Sequence, residues 1–105
     1  MYVQDTEDLL EFWSELRVSV HALREAYKEG LRGRDILYAI FKGQVIEWYP
    51  ERNRVLIRGP IPQTDVPLHV ACDYRDYEEL VVVTVYIPNP PQWPAHLAKR
   101  HRHAK

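Results

Sequence analysis

Two neighbouring runs decide the fold: Pro67-Leu68-His69-Val70-Ala71-Cys72-Asp73-Tyr74 and Leu80-Val81-Val82-Val83-Thr84-Val85-Tyr86-Ile87-Pro88. Successive side chains of a strand point to opposite faces. On that period, Leu68, Val70 and Cys72 share one side of the first run, and His69, Ala71 and Asp73 the other. The second run places Val81, Val83, Val85 and Ile87 on one side and Leu80, Val82, Thr84 and Tyr86 on the other. A wholly apolar side suits a covering layer of helices. A side bearing histidine, threonine, aspartate and tyrosine has room for a ligand.

Upstream, Gln44 to Tyr49 and Val55 to Arg58 are two further strand-like runs, separated by the turn Pro50-Glu51-Arg52-Asn53. Gly59-Pro60-Ile61-Pro62-Gln63-Thr64-Asp65 is the next connection. Connections this short favour antiparallel pairing, because parallel strands need long crossovers. In an unbroken register Ile46, Trp48, Val55, Ile57, Leu68, Val70, Val81, Val83 and Val85 share the buried side, and Glu47, Tyr49, Arg58, His69, Thr84 and Tyr86 share the other. Three helices are expected ahead of the strands. The first is capped by Asp5 or Thr6 and runs to about Leu16; the second runs from Val20 to Glu29 with Ser19 as N-cap and Gly30 as terminator. The third runs from Arg34 to Lys42, with Ile36, Leu37, Ile40 and Phe41 facing inward and Gly43 ending it. Helices followed by a run of strands read as α+β: three helices on one face of a four-stranded antiparallel sheet. An exposed edge strand, Gln44–Tyr49 or Leu80–Ile87, offers a place for a second copy to pair, which makes a homodimer an expectation.

The 105 residues accommodate one domain with one core. We divide it into an extra N-terminal helix (1–17), a core (18–91) and a basic tail (92–105). No apolar run approaches the roughly 20 residues of a membrane-spanning helix, and the acidic start lacks the pattern of a signal peptide. The single cysteine, Cys72, has no partner for an internal disulfide and falls on the apolar side of its run, where it reads as a small buried hydrophobe. A cytoplasmic location is expected. The tail holds four Lys/Arg and no acid, leaving 10 basic against 15 acidic residues in the rest of the chain. An acidic body disfavours indiscriminate binding to nucleic acid, which draws its affinity from cations.

His69 lies mid-strand among apolar neighbours, where an imidazole costs stability unless its nitrogens find partners. It reads as a half-buried histidine bonded to Tyr86 or to a backbone carbonyl, or as an acid, base or anion contact on the open face. His21 and Glu25 are four apart on one helix stripe, as a surface pair or as a carboxylate orienting an imidazole. Zinc is not expected, because the chain has neither a cysteine pair nor the H-E-x-x-H spacing. Arg54 and Arg58, near Tyr49, Tyr86 and Trp93, mix arginine with aromatic rings, the composition of a single-stranded RNA surface and equally of a protein interface. Arg58 could also pair with Glu47 across the hairpin.

The series Val20-His21-Ala22-Leu23-Arg24-Glu25-Ala26, Gly30-Leu31, Asp35-Ile36-Leu37, Gly43 to Pro50, Val55 to Gly59, Pro67 to Val70 and Thr84 to Pro88 resembles the family called domain of unknown function 4258. Glu25 and Glu29 stand where many of its members carry arginine, as in a subset with an H-A-x-x-E pattern. That family is similar in layout to RelE-like and MqsR-like toxins, and its genes often neighbour a small zinc-finger protein that resembles an antitoxin. The resemblance implies a toxin-type endoribonuclease of a toxin–antitoxin module, cleaving mRNA without metal or other cofactor by attack of the 2′-OH. On that implication His69 and Tyr86 are the acid–base pair, with His21 oriented by Glu25 as a second catalytic group. Arg58, Arg54, Tyr49, Thr84 and Arg100 would then contact substrate. The other reading is a non-catalytic module whose polar face docks a zinc-finger antitoxin-like partner.

Overall fold

The computed structural model describes residues 15–74 and 79–88. In chain order these form β1 (Glu15–Val18), α1 (Val20–Lys28), α2 (Gly33–Lys42), β2 (Gln44–Tyr49), a 3-10 turn (Pro50–Arg52), β3 (Arg54–Pro60), β4 (Pro67–Tyr74) and β5 (Glu79–Tyr86). The sheet has five strands in the order β1-β5-β4-β3-β2. β2 to β5 form an antiparallel meander, and β1 adds to β5 in parallel. The class is α+β as expected, with a mixed five-stranded sheet in place of a four-stranded antiparallel one. Two helices, not three, lie among the described residues. Glu15 and Leu16, placed at the end of a first helix by the sequence, are strand; the rest of that helix lies outside the described residues, as do Trp93 and the basic tail.

Local chemistry accounts for the helices. The Ser19 Oγ accepts from the Ala22 N–H at 3.1 Å, which caps α1. The same hydroxyl donates to the Val83 carbonyl and the Ser19 N–H donates to the Val82 carbonyl, so the cap also fastens α1 to β5. Gly30, at φ 76°, ends the α1 region in the left-handed conformation that suits glycine. The α2 N-cap position is Arg32, whose side chain makes no cap bond; Asp35 instead accepts from the Arg32 N–H at 2.8 Å.

Both helices cover one face of the sheet. Ala22, Ala26, Ile36, Ala39 and Ile40 pack there against Val55, Ile57, Leu68, Val70, Cys72, Leu80, Val82 and Val85. Phe41 is exposed, contrary to its expected inward position, and Ala39 is buried in its stead. The cause is Gly59. A methyl group built on it would run into the Ala39 carbonyl and stand 2.6 Å from the Ala39 Cα. The α2 backbone therefore sits directly on β3, and the helix turns its smallest side chain toward that contact.

Two irregularities overturn the unbroken register. Val45 faces Ile57 while Glu47 faces Leu56, which leaves Ile46 as an extra residue, 41% exposed. Ala71 faces Thr84 while Cys72 faces Val82, which leaves Val83 extra. Leu80 and Val82, not Val81 and Val83, accompany Val85 on the helix side. Four consecutive apolar residues, Leu80 to Val83, carry no alternation that would specify which of them point inward. β5 is also no edge: β1 covers it, and β2 is the edge at the far side. We expect Gly59→Ala to lower the unfolding free energy by about 3 kcal/mol, at the upper end for an overpacked core. Urea denaturation checks this, and a change within about 0.5 kcal/mol would show that the helix–sheet contact has slack.

Candidate functional site

Residues paired across strands share a face. The pairings run Gln44–Arg58, Arg58–His69 and His69–Tyr86, a row across four strands on the face opposite the helices. The next row is Glu47–Leu56–Ala71–Thr84, and beyond it Tyr49–Arg54–Asp73–Val81. Both irregularities leave the expected polar set intact: Glu47, Tyr49, Arg58, His69, Thr84 and Tyr86 all lie here. Leu56, Ala71 and Val81 are buried on this face without joining the helix-side cluster.

The centre of the face is a contact between two rings. His69 Nδ1 lies 3.2 Å from the Tyr86 hydroxyl, and the rings meet edge to face with centroids 5.1 Å apart. Either atom can donate in this pair. Nε2 is buried and has no hydrogen-bond partner among the described residues, so a proton on Nε2 leaves Nδ1 to accept from the phenol. The pKa of His69 is lowered, first by burial and then by the positive charge of Arg58, with Glu47 opposing. The imidazole is thus neutral near pH 7, the form that accepts a proton. Tyr86 is 45% exposed and is the solvent-facing member of the pair.

Arg58 is exposed and has no ion-pair partner among the described residues. Its cross-strand neighbour on β2 is Gln44, not Glu47, because the Ile46 irregularity shifts Glu47 opposite Leu56. Arg58 also lines a groove of about 400 Å³ with Lys42, Gln44, Pro60, Asp65 and Pro67. A larger hollow, about 560 Å³, lies away from these rings between the α1–α2 connection and the 61–66 loop.

The remaining expected residues are placed less favourably. Arg54 is held by Asp73 through bonds of 2.6 and 3.1 Å, which raise its pKa and occupy its guanidinium. His21 and Glu25 are on α1, with the sheet between them and His69, and the Glu25 carboxylate accepts from Lys28 at 3.3 Å. Arg100 lies outside the described residues. Cys72 is buried, with its thiol pushed up to about 12 by burial, so it is an inert hydrophobe as expected. Among the described residues no cluster of His, Cys, Asp or Glu could hold a metal ion, and no helix is long and apolar enough to cross a membrane. Lys42 and Gln44 were not among the expected site residues. Only the cross-strand position of Gln44 beside Arg58 would have pointed to them, and that depends on the irregularity at Ile46.

Residues 18–87 match the family model described as Domain of unknown function (DUF4258). The chain belongs to this family. The DUF4258 region runs from the last residue of β1 to one residue past β5, so it contains the whole polar row and both helices. No curated protein and no solved structure matches the chain.

A histidine whose folded pKa lies below its unfolded value binds its proton more readily once unfolded. Stability contributed by neutral His69 is therefore complete above about pH 6.5 and is lost as pH falls from there through the lowered value. The urea midpoint of the native protein should drop between pH 7.5 and 5.5, and His69→Gln should flatten part of that drop. Equal slopes in the two proteins would show that His69 does not titrate as its surroundings imply.

Proposed function

We propose that this DUF4258 protein is a toxin-type endoribonuclease, cleaving single-stranded mRNA without metal. The observation that carries the reading is the Tyr86 hydroxyl held 3.2 Å from a neutral His69, beside the Arg58 guanidinium, which has no ion-pair partner among the described residues. A phosphodiester is cut in this way when a 2′-OH loses its proton, attacks the adjacent phosphorus and expels the 5′-oxygen. In the proposed step the Tyr86 oxygen takes the 2′-OH proton while its own proton passes to His69 Nδ1. The imidazolium then returns a proton through the same phenol to the leaving 5′-oxygen. Products are a 2′,3′-cyclic phosphate and a 5′-hydroxyl, with no net proton change. Arg58 balances the charge that builds on the phosphoryl oxygens, and the groove holding Lys42 and Gln44 would receive the strand to one side.

The likeness to RelE-like toxins is part of this proposal and is supported by the β2–β5 meander with helices on one face. So is a small zinc-finger antitoxin-like partner covering the polar row, and so is pairing of two copies through β2. His21 and Glu25 have no part in the step, because the sheet separates them from it.

Pure protein in EDTA, given a defined single-stranded RNA, should release fragments ending in 2′,3′-cyclic phosphate. Tyr86→Phe should slow cleavage by about 10²–10⁴-fold, and Arg58→Ala by a factor in the same range, with the melting curves of both variants unchanged. Intact RNA at micromolar native protein would reject the enzyme reading and leave the row as a docking surface, to be tested by complex formation with the product of the adjacent gene.

A further inference from the structure

Pro60 pairs with Pro67 at the end of the β3–β4 ladder, two residues beyond the Arg58–His69 pair. Strand alternation puts both rings on the face that carries Arg58, His69 and Tyr86. They make a small apolar platform, exposed at Pro60 and half-buried at Pro67, about 7 Å along the strand from the polar row. Both prolines line the groove of about 400 Å³ that Arg58 shares with Lys42, Gln44 and Asp65, a size within the range of ligand clefts.

The charged groups of this groove are not spent on each other. Lys42 and Asp65 line it together, yet neither has an ion-pair partner among the described residues. Asp65 is placed by its neighbours. The Thr64 hydroxyl accepts from the Val66 N–H at 3.1 Å and donates to the Ile61 carbonyl at 3.1 Å, and the Ile61 N–H donates to the Val66 carbonyl at 3.3 Å. A loop tied on both sides of Asp65 thus holds an exposed carboxylate at the groove. An ionised carboxylate accepts at two oxygens and donates nothing.

Single-stranded RNA is read by splaying a base onto a flat surface and bonding its Watson–Crick edge. Guanine alone has two adjacent donors on that edge, N1–H and the N2 amine, which a carboxylate accepts side by side. Its O6 stands next to them and needs a donor, as an ammonium supplies. Adenine and cytosine set one donor beside an acceptor, and uracil sets its donor between two acceptors. Each of those bases would turn a lone pair toward one Asp65 oxygen. A phosphate seated in the groove would meet the same carboxylate, so the base and not the backbone belongs there.

We propose, resting on the ribonuclease reading above for the path of the strand, that this groove is a guanine subsite for the nucleotide next to the cleaved bond. Asp65 accepts from N1–H and the N2 amine, Lys42 donates to O6, and Pro60 and Pro67 carry the face of the ring. Arg58 holds the adjoining phosphate.

Binding and cleavage are measured apart. The full chain, in EDTA, is titrated with the 2′-O-methyl trinucleotide uridine–guanosine–uridine, which has no free 2′-OH and cannot be cut. The same oligomer with inosine or adenosine in the middle is the comparison. Native protein should bind the guanosine form about tenfold more tightly than the inosine form, which lacks only the N2 amine, and more tightly still than the adenosine form. Asp65→Asn should close the gap between guanosine and inosine, whereas Lys42→Ala should weaken both alike and leave the gap. Melting curves check both variants, and the inosine comparison in native protein needs neither of them. Guanosine-selective binding by a protein that leaves RNA uncut would keep the subsite and reject only the cleavage. Equal affinity for the three oligomers, binding of none of them, or an unaltered gap in Asp65→Asn overturns the subsite, whether or not RNA is cut. So does free GMP competing as well as the trinucleotide.

Discussion

The seating of α2 on β3 through Ala39 and Gly59 is the constraint on which the rest of the molecule depends. There is no side chain between the two backbones at that point, so neither the height nor the rotation of the helix is adjustable. Strand alternation carries the consequence to the other face. With Gly59 and Ile57 held under the helix, Arg58 must point away from it, and the pairing of Arg58 with His69 and of His69 with Tyr86 follows from the ladder. Gly43 adds to this, since a methyl there would meet the Arg58 carbonyl at 2.7 Å. One close approach in the core thus fixes the order of the polar row.

The row in turn has a chemistry that isolated side chains would lack. His69 is held neutral by partial burial and by Arg58, while Glu47 pulls weakly the other way. Its Nδ1 is aimed at the exposed phenol of Tyr86. The arrangement puts a proton acceptor behind a hydroxyl and a fixed cation at its side. Arg54, two rows away, has Asp73 opposite, and that bidentate pair leaves it a structural brace.

Much of this was legible in the residues themselves. Ser19, Gly30 and Gly43 carry the chemistry of helix ends, and the structure ends its helices beside them. His69, Tyr86 and Arg58 were placed on one face by counting in twos, and the count survives because each irregularity falls between a polar position and its next neighbour. What could not be read was long-range or degenerate. Leu80 to Val83 look alike at every position, so only packing decides which ones enter the core. Phe41 resembles a core residue until the lack of a side chain at Gly59 draws Ala39 inward instead. Glu15 to Val18 is a four-residue strand whose partner lies more than sixty residues away, and no local pattern announces it.

That last pairing bears on how the molecule is made. β1 precedes its hydrogen-bonding partner, Glu79 to Val82, by more than sixty residues. The meander of β2 to β4 and the two helices can assemble from near neighbours in sequence, whereas β1 joins the sheet only once β5 is in place. Docking of β1 is therefore the long-range step that completes the sheet, and until it occurs the chain presents an open β5 edge to whatever else is in the cell.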